Sequence, residues 1–212
     1  MTGSERPLAR RRIGLLGGSF DPVHVAHVAL AKQALAQLSL DEVRWLPAGQ
    51  PWQKERAVSA AAHRVNMVRL ATAPEARFVV DTLEVDRPGP TYTVDTLHAL
   101  QSTASEADCF LILGQDQYAN LHTWHRWQDI VACVTLAVAA RAGQVPLPAG
   151  ALACHPHRMV VLDLPPMQVS STAIRQRLAA GESPFSLAPG TVPEAVAGYI
   201  AQHQLYAAGN LR

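Results

Sequence analysis

Residues 13–38, IGLLGGSFDPVHVAHVALAKQALAQL, decide the fold. The apolar run at 13–16 stops at Gly17 and Gly18, a polar turn follows, and over 24–38 the apolar positions fall at helical spacing. Strand, glycine turn, helix is how an α/β unit begins. The alternation continues outward from there. EVRWL at 42–46 predicts a second strand, closed by Pro47 and Gly49, and 59–72 is Ala-rich with a helical period. RFVV at 77–80 reads as a third strand, and the Pro- and Gly-rich RPGPTYT precedes a helix over 94–101. CFLIL at 109–113 is apolar throughout, as a parallel strand covered on both faces requires, and it ends at Gly114. Residues 116–130 predict one or two short helices carrying Trp124 and Trp127, with a fifth strand over 131–140 and a sixth over 159–162. Helices follow at 171–180, opened by Ser and Thr caps, and at 193–204. The expected architecture is a doubly wound, mostly parallel α/β sheet with C-terminal helices, one domain over 13–212 behind a flexible extension at 1–12.

Composition narrows the class. Of 212 residues, 49% are hydrophobic and 17% charged, which excludes a disordered or collagen-like chain. Eighteen basic against seventeen acidic residues leave +1, too little for a domain that coats nucleic acid. The longest apolar stretch, IVACVTLAVAA at 130–140, falls short of the roughly 20 residues that span a bilayer. The basic start MTGSERPLARRR is followed by too short an apolar run, cut off by Asp21, to read as an export signal. Cys109, Cys133 and Cys154 lie far apart and are odd in number, so reduced thiols and a cytoplasmic setting are expected. HPH at 155–157 invites a zinc reading, but no Cys or carboxylate stands near it. No metal site is expected, and 142–157 is read as a surface connection.

In an open α/β sheet, ligands settle beyond the carboxyl ends of the strands. Gly17 and Gly18 would let the backbone approach a phosphate there, and the next helix offers free N–H groups and a positive dipole end. His24 and His27, three apart, share a helix face near that end. The motif is neither a Walker A loop nor GxGxxG. On residue types alone, a plain turn with two ordinary histidines stands beside the phosphate reading. VSSTAIR at 169–175 puts the hydroxyls of Ser170, Ser171 and Thr172 ahead of a helix with Arg175 in its first turn, either an anion seat or a helix cap. Asp116 and Trp124 follow Gly114 on the ligand side, one an acceptor for a ribose hydroxyl or a magnesium-bound water, the other a flat face for a ring.

GGSFDPVHVAH at 17–27 resembles the GG(T/S)FDPxHxGH signature of the nucleotidylyltransferase superfamily, which transfers AMP or CMP from a nucleoside triphosphate. It departs at Ala26, where the family has Gly. GPTYTVDTL at 89–97, ILGQDQYANLHTWHRWQDIV at 112–131, VSSTAIRQRLAAGES at 169–183 and YIAQHQLY at 199–206 are similar, in order, to motifs of bacterial nicotinate mononucleotide adenylyltransferases. The likeness covers nearly all of the chain after Arg12.

The resemblance implies a Rossmann-like nucleotidylyltransferase fold. It implies AMP transfer from ATP to nicotinate mononucleotide, giving deamido-NAD and pyrophosphate, with Mg2+ carried by ATP. His24, His27, Lys54 and Arg175 would be the catalytic donors. Gly17, Gly18, Ser19 and Phe20 would line ATP from one side, and Ser170, Ser171, Thr172 and Arg141 from the other. Asp21, Gly114 and Asp116 would meet the mononucleotide, with Trp124 stacking on its ring and the Thr91–Tyr92 loop holding its carboxylate. Lys54 follows Gln53, where the family has a His before the basic residue. The implied partners are ATP and the mononucleotide, with no nucleic acid or membrane, and a homo-oligomer is left open. The rivals are another superfamily member, such as phosphopantetheine adenylyltransferase or a cytidylyltransferase, and an ATP-binding regulator without turnover.

Overall fold

The computed structural model describes residues 10–50, 58–103, 107–140 and 143–207. In chain order the elements are β1 (Arg12–Gly18), α1 (Val25–Gln37), β2 (Glu42–Pro47), α2 (Ala61–Thr72), β3 (Phe78–Val80), α3 (Leu83–Asp86) and α4 (Thr93–Thr103). Then come β4 (Asp108–Leu113), α5 (Gln115–Ala119), α6 (Trp127–Cys133), β5 (Thr135–Ala140), β6 (Met159–Asp163), α7 (Ser171–Ala179) and α8 (Glu194–Gln202). Short 3-10 turns occupy Leu121–Thr123, Gly150–Cys154 and Pro184–Leu187.

The strands form one sheet in the order β3-β2-β1-β4-β5-β6, and each neighbouring pair is parallel. The chain winds outward from β1 to β3, then returns to β1 and winds the other way from β4. Between β1 and β4 lies the switch point, where the connections leave in opposite directions and a crevice opens at the carboxyl ends.

The period of two along each strand feeds a core on each face. Leu16, Val43, Trp45, Phe110, Ile112 and Ala137 pack on one side with residues of α1, α2, α7 and α8. Ile13, Leu15, Leu111, Leu113, Leu136 and Val138 pack on the other with α4 and α6. The middle of the sheet leaves no room at Gly14, where a Cβ would lie 2.7 Å from Leu40 Cδ1 and 2.9 Å from Ile112 Cδ1.

Three expectations are corrected. Residues 131–133 belong to α6, and β5 starts only at Thr135. The apolar run 130–140 crosses a helix–strand junction that periodicity cannot see, because both sides are buried. The segment 143–157 is more than a surface connection: Leu152 is fully buried, His157 Nε2 pairs with the Tyr118 hydroxyl at 2.9 Å, and His155 meets the Trp127 ring edge-on at 4.9 Å. The HPH imidazoles therefore anchor a loop on aromatic rings. Finally, Arg12 is part of β1 rather than of an extension, its Nε donating to Leu38 O at 3.0 Å. Residues 1–9 lie outside the described residues.

Candidate active site

β1 delivers Gly17 and Gly18 to the mouth of the crevice. A Cβ on Gly17 would meet nothing within 4 Å among the described residues. The turn continues through Phe20, held at φ 47° in the left-handed region. Phe20 is 1% exposed, with its ring 5.1 Å from His27 at 78° and 5.5 Å from Trp45. Its ring is a floor beneath the histidine.

His24 stands in extended backbone at the N-cap of α1. Its N–H donates to His27 Nδ1 at 3.2 Å, so that nitrogen carries no proton and the His27 proton sits on Nε2. The two rings stack at 3.7 Å and 22°. Burial pushes His24 down to about 4 and lowers His27 well below the ordinary imidazole value, with His24 adding to the effect. Both rings are neutral at pH 7, so they present N–H donors rather than fixed cations. His24 Nδ1 is buried and finds no hydrogen-bond partner among the described residues. The helix end between them is narrower than a bare one, because Val25 N–H already donates to Thr191 O at 3.0 Å.

The VSSTAIR hydroxyls face inward as well as outward. Ser170 Oγ caps α7 by accepting from Ala173 N–H at 3.2 Å, and Ser171 Oγ donates to Pro22 O at 2.9 Å. Thr172 Oγ1 accepts from Arg175 Nη2 at 3.2 Å, while Arg175 Nη1 donates to Asp21 O at 2.6 Å. Arg175, only 9% exposed, thus grips the GGSFDP turn through its backbone. The sequence led to the expectation of a direct hold on the triphosphate. Asp21 differs from expectation too: it is 1% exposed and its Oδ1 accepts from the Tyr206 hydroxyl at 2.7 Å, so the carboxylate braces the C-terminal segment.

On the other side of the switch point, Gly114 is the N-cap of α5 and Asp116 is exposed in its first turn. Trp124 and Tyr92 are half-buried against the α4–α6 core, and Tyr92 lies 4.4 Å from the His125 ring. Thr91 is buried, its Oγ1 accepting from Gln50 N–H at 3.1 Å. Thr91 thus sits beside the segment that follows β2, and Tyr92 beside one that follows β4. Lys54, Gln53 and Arg141 lie outside the described residues. Sequence reading missed Arg64, Tyr206 and His125, whose partners are far along the chain or in another loop. A charged arginine among the apolar residues of α2 was the one visible signal.

A parallel sheet of this order, opening on two glycines and a pair of neutral imidazoles, defines a nucleotide-binding α/β domain, and residues 15–177 match the family model described as Cytidylyltransferase-like. The probable nicotinate-nucleotide adenylyltransferase of Methylibium petroleiphilum is 50% identical over 198 residues, 93% of each chain. That of Bordetella petrii is 49% identical over 201 residues, covering 92% of this chain and 99% of the relative. The chain belongs to the nicotinate-nucleotide adenylyltransferases, a family of enzymes within the cytidylyltransferase-like group. Its fold is shared with the Plasmodium falciparum nicotinic acid mononucleotide adenylyltransferase solved with NaAD, at TM-score 0.75 and 17% identity over 93% of this chain and 98% of that one. No helix among the described residues is long and apolar enough to cross a membrane.

Proposed function

We propose that this enzyme transfers AMP from ATP to nicotinate mononucleotide, releasing pyrophosphate and forming deamido-NAD, as a single domain in the cytoplasm. The observation that carries the reading is the stacked His24–His27 pair at the end of β1, in a chain half identical to relatives named for this activity.

The 5′-phosphate of the mononucleotide attacks the α-phosphorus of ATP and pyrophosphate leaves in line, so no protein nucleophile is needed. Catalysis is positioning and neutralisation of charge. Gly17 lets the backbone approach the triphosphate, and the imidazole N–H groups of His24 and His27 donate to phosphate oxygens whose charge grows in the transition state. The serines of α7 and Arg175 set the shape of the turn. Lys54 and Arg141 add cations from outside the described residues. Trp124 stacks on the nicotinate ring, and the loop at Thr91 and Tyr92 receives its carboxylate.

Mg2+ would arrive on the triphosphate, with Asp116, exposed in the first turn of α5, an acceptor for its waters. Bound there, it supplies charge neutralisation along the phosphates.

Incubation with ATP, Mg2+ and nicotinate mononucleotide tests the reading by chromatography: deamido-NAD and pyrophosphate should appear in equal amounts. ATP bound by the protein but recovered intact would favour a regulator without turnover.

A further inference from the structure

Arg64, on α2, is 1% exposed and hydrogen-bonds to no carboxylate among the described residues. Its donors go to backbone carbonyls: Nε to Ser59 O at 2.9 Å, Nη1 to Ser19 O at 2.9 Å, and Nη2 to Ala48 O at 2.7 Å and Gly49 O at 3.1 Å. Burying a guanidinium is costly unless its charge is balanced and its donors are satisfied. Here the carbonyls take the donors, and the buried Asp21 offsets the charge.

The acceptors belong to separate loops. Ser19 lies in the glycine turn after β1, and Ala48 and Gly49 follow β2. From Gly49 the connection runs on: Gln50 N–H donates to Thr91 Oγ1, and Thr91 N–H donates to Gln50 O, both at 3.1 Å. Gly49 has no slack, since a Cβ there would stand 2.2 Å from Glu84 O. One guanidinium therefore ties the glycine turn to the loop after β2 and, through Gln50, to Thr91.

We propose that Arg64 is a positioning residue for adenylyl transfer, its planar fork fixing the spacing between the glycine turn after β1 and, through Gly49, Gln50 and Thr91, the loop that receives the mononucleotide. This rests on the function proposed above. In-line displacement needs the attacking phosphate aligned on the α-phosphorus, and a misplacement of about 1 Å costs on the order of a hundredfold in rate. Lysine would keep the charge, but a single nitrogen cannot reproduce the planar fork that reaches both loops.

The experiment measures kcat and both KM values for Arg64→Lys and Arg64→Gln, with folding checked by circular dichroism and thermal melts, alongside wild type. Expected are KM values within about threefold of wild type and kcat lower by about a hundredfold in both variants, the signature of lost alignment rather than lost binding. In Arg64→Ala, added guanidinium ion at millimolar concentration should recover at least tenfold in kcat where ammonium does not. Wild-type kcat in a folded Arg64→Lys would overturn the proposal, as would a loss seen only in KM. If no Arg64 variant folds, Gly49→Ala displaces the same loop with Arg64 in place, and kcat must fall there with KM kept; an unchanged kcat overturns the proposal. Wild type that makes no deamido-NAD would instead count against the functional reading itself.

Discussion

His24 and His27 are held neutral because they are buried together. Burial takes His24 from the ordinary 6.5 to about 4, so the unfolded chain binds that proton more readily than the folded one. The neutral ring therefore contributes stability that is complete above about pH 6.5 and is lost as the pH falls towards 4. Imidazole NMR of the free protein should show His24 neutral at pH 6, and titration at or above 6.5 would contradict its burial. His24→Ala or His27→Ala should each lower kcat by on the order of a hundredfold, about 3 kcal/mol by analogy with a lost oxyanion donor, while ATP affinity changes far less. Wild-type turnover in either variant would make that histidine structural. Gly17→Ala separates packing from function in the same turn. A methyl there meets nothing among the described residues, so the melting temperature should hold within a degree or two, while ATP binding by calorimetry should weaken, since on the proposed reading this backbone meets a phosphate. Unchanged ATP affinity would move the phosphates away from Gly17.

Individual elements show what a sequence can and cannot disclose. Ser170 caps α7, and its replacement by Ala should cost about 1 kcal/mol of stability, seen in denaturant melts. No loss would mean that the cap bond contributes nothing. That helix, like β1, α1, β2 and β4, was legible because its signals are local: a cap before a periodic run, or an apolar run ending in glycine. The junction between α6 and β5 was not, since the residues on both sides of it are apolar and buried. Asp21 looked like a ligand because it sits in the signature turn, yet its carboxylate answers to Tyr206, 185 residues later. Arg64 was hidden for the same reason: its acceptors lie in the loops after β1 and β2 and ahead of α2, and only the folded sheet gathers them. The proposed chemistry was readable where neighbours in sequence supply it, and the scaffolding around it was not, because distant segments do.

The whole molecule makes a choice of substrate as well as of fold. The glycine turn and the paired histidines would serve any acceptor phosphate, whereas on the proposed reading Trp124, Thr91 and Tyr92 would restrict it to a pyridine ring with an acidic group. The Thr91 N–H is given to Gln50 O; another backbone N–H of that loop that satisfies a carboxylate would meet the NH2 of an amide unpaired, at about 1 to 3 kcal/mol each. Specificity for nicotinate over nicotinamide mononucleotide should therefore exceed about tenfold. Trp124→Ala should weaken both by similar factors, since stacking is common to the two, and a collapsed ratio would mean that Trp124 also shapes the selective loop. The most direct test of the account is pyrophosphate release from ATP and Mg2+ with nicotinate mononucleotide, nicotinamide mononucleotide and phosphopantetheine supplied in parallel. The account predicts rapid release with the first, at least tenfold slower use of the second and none with the third. Release driven by phosphopantetheine, or none with nicotinate mononucleotide, would contradict it.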